Sequence, residues 1–344
     1  MSLARRHFVR GLASGAALIS GAASATGRAP LLARRLQPGD TLGLISPANA
    51  SFEREPLEIA IESLQALGFK IKPGAHLRSR YGQFGGTDAE RAADINALFA
   101  DDGVAGLLAL NGGSGCNRIV DKLDYGLIQR KPKFFGGFSD LTSLVNAIHR
   151  RTGLVSFHAP FASSEWNAFT VEHFKAVVMD GEAALLRNPQ ARGAALVQSE
   201  DRTRTLRGGK ARGPLVGGNL AVLSSLAGSA FFPDCRGAIL FLEEINEYIY
   251  RVDRMLSTLR LCGAFDQLAG VVLGKFSRCE PGDGNYGTLT LDEVFDDYFL
   301  PLGVPVYRGA MIGHIERKFT VPVGLPAEID ADAGTIQLLT PAVL

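Results

Sequence analysis

From Gly39 onward the sequence alternates between short apolar runs and stretches with helical periodicity. Apolar runs at residues 40–47, 104–110 and 133–138 have the length and composition of buried strands. Between the first two runs, apolar residues repeat at helical spacing from Leu57 to Leu67. This alternation predicts an α/β fold with a mostly parallel sheet covered by helices on both faces. Ligands of such sheets bind at the carboxyl ends of the strands, so we expect functional residues there.

The α/β pattern is interrupted once and then resumes. Residues 181–212 are polar, basic and weakly periodic, which predicts a crossover between domains. After them the pattern continues with a strand at 238–242 and, near the end, a hairpin over 327–339. A chain of 344 residues is long enough for two domains. We therefore expect a Rossmann-like N-terminal domain over residues 38–180 and a smaller β/α C-terminal domain over residues 213–344.

The first 25 residues have the composition of an export signal. A charged stretch with Arg5 and Arg6 precedes a modest apolar run and the small residues ASA at 23–25, which are typical of a cleavage site. The arginine pair followed by Phe8 resembles a twin-arginine signal. The apolar run is too short and too rich in Gly and Ala for a membrane span. The sequence thus predicts a signal over residues 1–25 and a periplasmic protein, with a cytoplasmic location as the alternative.

Composition and spacing argue against several classes of partner. The net charge is only +1, and no basic stripe alternates with aromatic residues, so we expect no nucleic acid. The cysteines are widely spaced and match no zinc pattern, so we expect no metal or organic cofactor. An oxidising compartment would permit a disulfide, but the sequence identifies no pair. The four cysteines are Cys116, Cys235, Cys262 and Cys279.

A glycine-rich turn, NGGSGCNR at residues 111–118, follows the strand predicted at 104–110. Its backbone N–H groups could cradle an anion or the oxyanion of an acyl-transfer intermediate. Gly113 and Gly115 begin a dinucleotide-binding fingerprint, but Arg118 stands where the third glycine is needed. The turn therefore favours an anion or oxyanion site over a nucleotide site.

A second turn, GGFSDLTSL at residues 136–144, places Ser139 between a strand and a helix. Gly-x-Ser at such a turn is typical of a nucleophile elbow, although Leu141 replaces the glycine expected two residues after the serine. The alternative is that Ser139 is only the N-cap of the helix. If Ser139 is a nucleophile, the N–H of Asp140 would join the oxyanion hole.

A serine nucleophile needs a base and an acid that orients the base. Of the six histidines, His158 and His314 are the candidates for the base, and the local pattern does not decide between them. Glu243 and Glu244 end a buried strand, where an orienting acid would lie at the functional edge of the sheet. The order Ser, Glu, His along the chain matches one class of hydrolases.

These segments together resemble the LD-carboxypeptidase family, which includes murein tetrapeptide carboxypeptidases and microcin-immunity peptidases. The resemblance covers about residues 38–342 and rests on nine motifs that occur in order: PGDTLGLISPA, RAADINALF, NGGSGCNR, GGFSDLTSL, FHAP, GPLVGGNLAVLSSLAGS, ILFLEEINEYIYRVDRML, GKFSRCE and GHIERKFTVPVG. It implies that Ser139 is the nucleophile, that His314 is the base and that Glu243, rather than Glu244, is the acid. It also implies an active site between the two domains and a homodimer, of which the sequence shows no distinct signature.

The resemblance implies a serine carboxypeptidase that hydrolyses an L-to-D peptide bond and releases D-Ala from the end of a murein tetrapeptide. The substrate partner is then a murein peptide or muropeptide. One alternative is a related peptidase that cleaves a modified peptide or an acyl-amide, as the immunity peptidases do. A second alternative is a muropeptide-binding protein without turnover, which would have no need of all three triad residues.

Further site residues are expected beside the triad. The backbone N–H groups of Asp140 and Gly113 would form the oxyanion hole. Asn111 and Ser114 stand where the family often has Arg and an aromatic residue, and both would face the substrate. A terminal carboxylate of the substrate would be held by a guanidinium group, because arginine binds carboxylates in a bidentate manner. The candidates for this role are Arg118 and Arg254.

Overall fold

The computed structural model describes residues 29–282 and 288–344 and confirms an α/β protein, built here on two sheets. The predicted export signal, residues 1–25, lies outside the described residues. No helix in the described part of the chain is both long enough and apolar enough to cross a membrane.

The first half of the chain alternates strictly between strands and helices, as the sequence predicted. Its elements are β1 (Thr41–Ile45), α1 (Arg54–Ala66), β2 (Lys70–Pro73), α2 (Asp88–Ala100), β3 (Gly106–Ala109), α3 (Tyr125–Arg130), β4 (Phe134–Gly137), α4 (Thr142–Thr152), β5 (Ser156–His158) and α5 (Ala168–Val178).

The second half is richer in strands. Its elements are β6 (Leu185–Arg187), β7 (Arg204–Arg207), β8 (Lys210–Asn219), α6 (Leu220–Ser225), β9 (Ile239–Ile245), α7 (Ile249–Leu261), β10 (Gly270–Ser277), α8 (Leu291–Phe299), β11 (Val306–Arg308), β12 (Val321–Val323), β13 (Pro326–Asp330) and β14 (Thr335–Leu338). The antiparallel pair β13 and β14 confirms the predicted hairpin near the C-terminal end.

The six-stranded first sheet has the order β12-β5-β4-β3-β1-β2. Strands β1 to β5 are parallel, and β12 is antiparallel to β5. The eight-stranded second sheet has the order β6-β14-β13-β8-β9-β10-β11-β7. Its centre, β8 to β11, is parallel, and its outer strands are antiparallel. Each half of the chain therefore contributes parallel strands whose carboxyl ends can carry functional residues.

The strands do not follow the domain boundaries that we expected. The expected crossover, residues 181–212, contains β6 and β7, which form the two edges of the second sheet. Both are short and mostly exposed, so they lack the apolar periodicity that identifies a buried strand. Conversely, β12 lies within residues 213–344 and yet pairs with the first sheet. Such a long-range pairing leaves no local signal in the sequence.

A shared apolar core joins the two sheets. One cluster of buried side chains contains Leu108 and Phe135 of the first sheet together with Leu215 and Phe241 of the second. A second cluster packs the helices that follow β8, β9 and β10 against the second sheet, with Leu256 among its members. Because burial of apolar area is the main favourable term in folding, the first cluster stabilises the placement of one sheet against the other.

Short polar signals define helix ends near the first sheet. Helix α2 begins at a capping box, in which Thr87 accepts from the N–H of Glu90 while the Glu90 carboxylate accepts from the N–H of Thr87. Helix α4 ends at Gly153, which has a φ of 79°. The capping box sets where α2 begins, and Gly153 sets where the chain leaves α4 for β5.

Helix α4 also bonds directly to β8 of the second sheet. Asn146 is fully buried and donates to the carbonyl of Gly217 at 2.8 Å, and its Oδ1 accepts from the Gly217 N–H at 3.3 Å. One turn earlier, the Thr142 hydroxyl accepts from the N–H of Asn219 at 2.9 Å. The helix that follows the Ser139 turn is thus tied to the other half of the chain.

We expect Asn146→Ala to lower the free energy of unfolding by about 2–3 kcal/mol, because it leaves the buried backbone groups of Gly217 without partners. Urea denaturation followed by circular dichroism measures this value. Asn96→Ala is the matched control: Asn96 also bonds two backbone groups, those of Lys122 and Asp124, but near the surface. Its loss should stay near 1 kcal/mol. Equal losses of unfolding free energy in the two variants would contradict a stabilising role for the buried bonds between Asn146 and Gly217.

Candidate active site

Ser139 lies on a tight turn between β4 and α4. Its φ is 56°, in the left-handed region that residues other than glycine rarely adopt. Backbone strain of this kind costs about 1–3 kcal/mol and clusters at functional turns. The residues at the cap positions here are Phe138 and Leu141, and neither makes a side-chain cap. The Ser139 hydroxyl instead lies 2.9 Å from Nε2 of His314, so the structure does not place Ser139 as an N-cap.

His314 follows β11 and reaches across to the first sheet. Its Nδ1 lies 2.8 Å from Oε2 of Glu243, and its Nε2 lies 2.9 Å from the Ser139 hydroxyl. Gly313 allows this approach, since a Cβ there would stand 2.8 Å from the same carboxylate oxygen. A carboxylate, an imidazole and a hydroxyl joined in this way can move a proton from the hydroxyl to the imidazole.

Two acids end β9, and they have different partners. Glu243 is fully buried and contacts His314. Glu244 points the other way, as neighbours along a strand do, and accepts from the side chain of Asn219 and from the backbone N–H groups of Ala221 and Ile245. Burial raises the pKa of Glu244 to about 7. The structure therefore brings Glu243 to His314 and uses Glu244 to support the start of α6.

His158, the other histidine considered for the base, lies in an apolar environment. Both of its ring nitrogens are buried and find no hydrogen-bond partner among the described residues. The rings of Phe138 and Phe241 lie 5.7 and 5.5 Å from its own ring. Burial lowers the pKa of His158 to about 3, so the imidazole is neutral. Its place is in the packing beneath the site, where it does not bond to Ser139.

The glycine-rich turn lies directly against the Ser139 turn. A Cβ added to Gly112 would stand 2.9 Å from the Phe161 ring and 3.2 Å from Cβ of Ser139, so a larger residue here would crowd both neighbours. The N–H of Cys116 donates to Oδ2 of Asp140 at 2.8 Å, which connects the two turns. Burial raises the pKa of the Asp140 carboxyl. The sequence singled out Asp140 for its backbone N–H, and the structure adds a positioning contact by its side chain.

Arg91 supports the glycine-rich turn from below and was missed by the sequence analysis. Its buried guanidinium donates to the carbonyls of Gly115, at 2.9 Å, and Pro47. It also forms an ion pair with Asp88 at 2.6 Å. A charged residue on an amphipathic helix is expected at the surface, so only the tertiary contacts reveal this role of Arg91.

The predicted substrate-binding residues are spread over different surroundings. Ser114 is exposed on the glycine-rich turn, and Asn111 is partly buried at its start, with an Oδ1 that has no partner among the described residues. Arg118 forms an ion pair with Asp88 at 2.9 Å. Arg254 is exposed on α7, with its guanidinium 5.4 Å from the ring of Tyr250. The glycine-rich turn that carries Asn111 and Ser114 approaches Ser139 at Gly112, Arg118 is ion-paired, and Arg254 contacts a tyrosine ring.

A cavity of about 620 Å³ opens beside His314. Phe138, the residue before Ser139, forms part of its wall, and so does the buried Lys318. The Lys318 ammonium lies 4.5 Å from the centre of the Phe138 ring. Lys318 follows His314 by only four residues and carries no local sequence signal of a site residue.

The described residues contain no cluster of three or more His, Cys, Asp or Glu side chains that could hold a metal ion. All four cysteines are free thiols, and Cys116 and Cys235 are buried. Burial raises the pKa of both buried thiols, as expected for small apolar side chains.

Comparison with known proteins gives independent information on the family. The family model of the LD-carboxypeptidase N-terminal domain matches residues 42–159, and that of the C-terminal domain matches residues 212–329. A probable murein peptide carboxypeptidase of Bacillus subtilis is 37% identical over 86% of this chain and 91% of its own length. The murein tetrapeptide carboxypeptidase of Pseudomonas aeruginosa is 30% identical over 86% of this chain and 95% of its own length.

Solved structures agree with these sequence matches. The structure of MccF in complex with glutamyl sulfamoyl guanosine superposes with a TM-score of 0.82 at 27% identity, covering 92% of this chain and all of MccF. The two domain models, the relatives and this structure agree with the resemblance inferred from the motifs. The chain therefore belongs to the LD-carboxypeptidase family and is a carboxypeptidase of the serine type.

Proposed function

We propose that the protein hydrolyses the L-to-D peptide bond at the end of a murein tetrapeptide and releases D-Ala. The observation that carries this proposal is the pair of hydrogen bonds that joins Ser139 to His314 and His314 to Glu243. The murein peptide carboxypeptidases among the relatives support the choice of substrate class.

In the first half of the reaction His314 takes the proton of Ser139 at Nε2, and the Ser139 oxygen attacks the carbonyl before the terminal D-residue. Glu243 holds the His314 tautomer and stabilises the imidazolium that forms. The N–H groups of Asp140 and Gly113 stabilise the oxyanion. The strained Ser139 backbone keeps the hydroxyl in place before the substrate arrives.

In the second half the tetrahedral intermediate collapses. His314 gives its proton to the leaving amine, and D-Ala departs from an acyl-enzyme in which the tripeptide is esterified to Ser139. A water molecule then loses a proton to His314 and attacks the ester, which restores free Ser139. We expect Asn111 and Ser114 to contact the peptide from the glycine-rich turn.

A second candidate function rests on the likeness to MccF, whose structure contains glutamyl sulfamoyl guanosine. In this alternative the same triad cleaves the amide of an aminoacyl sulfamoyl nucleoside instead of a murein peptide. Parallel assays with both substrates separate the two functions, because each has its own product. A muropeptide-binding protein without turnover would release neither product.

The direct test incubates the purified protein with murein tetrapeptide and measures released D-Ala. We expect release by the wild type and a loss of at least about 10³-fold in Ser139→Ala, because the nucleophile is gone. Circular dichroism of the variant controls for folding. Release by Ser139→Ala at the wild-type rate would exclude Ser139 as nucleophile, and no release by the wild type would exclude the carboxypeptidase function.

The neighbouring acids offer a matched pair of variants. Glu243→Gln should lower kcat by about 10³- to 10⁴-fold, because an amide cannot stabilise the imidazolium of His314. Glu244→Gln should change kcat by less than about tenfold, since the amide oxygen can still accept from the start of α6. Steady-state kinetics on the tetrapeptide measures both values. A larger loss in Glu244→Gln would reverse the assignment of the acid.

We further propose export to the periplasm by the twin-arginine route, from the composition of residues 1–25. A reporter fused to residues 1–30 should reach the periplasm, and Arg5→Lys with Arg6→Lys should abolish its export. Unchanged export of the double variant would count against this route, and a reporter that stays in the cytoplasm would support the alternative location. The homodimer implied by the family stays a prediction, which light scattering of the purified protein tests.

A further inference from the structure

Three cationic side chains are buried in the described part of the chain: Arg91, Lys133 and Lys318. Two of them have hydrogen-bond acceptors. Arg91 donates to two carbonyls and pairs with Asp88, and Lys133 donates to the carbonyls of Leu98 and Asp101. Lys318 is only 7% exposed, and its ammonium has neither a hydrogen bond nor an ion pair within the described residues.

The ammonium faces the cavity and contacts the Phe138 ring, but no anionic group replaces the hydration that it loses on partial burial. Burial lowers the pKa of Lys318 to about 8. The carboxylates of Glu243 and Glu165 favour its charged form, but neither lies within ion-pair distance. Glu243 is held by His314, and Glu165 is exposed. An anion that enters beside Lys318 would supply the missing partner.

The position of Lys318 indicates which anion this is. Lys318 and His314 line the same cavity, and the Lys318 ammonium lies over the ring of Phe138, the residue before Ser139. In the proposed reaction His314 protonates the leaving amine, so the leaving residue lies on the His314 side. The carboxylate of that residue is attached to the carbon that bears the amine, and it must therefore lie close to His314 as well.

We propose that the Lys318 ammonium binds the terminal carboxylate of the residue that the enzyme releases and so makes the enzyme a carboxypeptidase. This inference rests on the proposed function. It takes the role that the sequence predicted for Arg118, which forms an ion pair with Asp88, or for Arg254, which is exposed on α7. A charge-assisted hydrogen bond is about twice as strong as a neutral one, which is enough to select a free carboxylate over an amide.

The test compares two substrates that differ only at this group: the murein tetrapeptide with a free terminal carboxylate and the same peptide as its C-terminal amide. Tripeptide formation from both is followed by chromatography. The wild type should prefer the free acid by about 10- to 100-fold in kcat/KM. Lys318→Met should lose this preference because its KM for the acid rises. Its kcat/KM for the amide should change by less than about threefold.

Two further variants serve as controls. Lys318→Arg keeps the charge and should restore much of the preference for the acid. Lys275→Met removes the other lysine of the cavity, which is only partly buried, and should leave the preference within about threefold of the wild-type value. Circular dichroism and thermal unfolding confirm that each variant folds.

Each outcome decides the proposal. Equal losses for acid and amide in Lys318→Met would give Lys318 a structural role and overturn the assignment. A wild type that cleaves both peptides equally well would also overturn it, although the carboxypeptidase chemistry would stand. A wild type that forms no tripeptide from either peptide would overturn the proposed function and this inference with it.

Discussion

The hydrogen bond between the Ser139 hydroxyl and Nε2 of His314 connects groups that are 175 positions apart in sequence. Ser139 depends on a strained turn at the end of β4, and His314 depends on a loop that follows β11 in the other sheet. The 2.9 Å distance therefore requires that the two sheets keep a fixed position relative to each other. The shared apolar core and the bonds from α4 to β8 supply that relation. The interface between the sheets thus holds the Ser139 hydroxyl and Nε2 of His314 at hydrogen-bond distance.

The electrostatics of the site follow from burial. Glu243 is fully buried, and its Oε1 has no partner in the described residues. Its contact with His314 is therefore the main interaction that offsets the cost of burying the carboxylate. When His314 becomes an imidazolium, the pair lies in a region of low dielectric, where attraction is stronger than in water. His158 stays neutral beneath the site, which spares His314 a second positive neighbour. Lys318 supplies positive charge on the side of the cavity.

The sequence predicted the fold class because the alternation of strands and helices is local information. Turns at strand ends also predicted that Ser139 and the glycine-rich segment would lie together. The edge strands β6 and β7 escaped prediction because exposed strands carry little apolar periodicity. The side-chain contact of Asp140, the support by Arg91 and the free ammonium of Lys318 escaped it for another reason. Each depends on a neighbour distant in sequence, and burial of a charge cannot be read from a single segment.

The central claim is that His314 activates Ser139 to form an acyl-enzyme. Its most direct measurement is mass spectrometry of the protein after acid quenching during turnover of the tetrapeptide, with the adduct located by proteolysis. We expect a tripeptide acyl group on the peptide that contains Ser139, and no adduct in His314→Ala. An adduct on another residue, or rapid turnover with no adduct at any quench time, would contradict it.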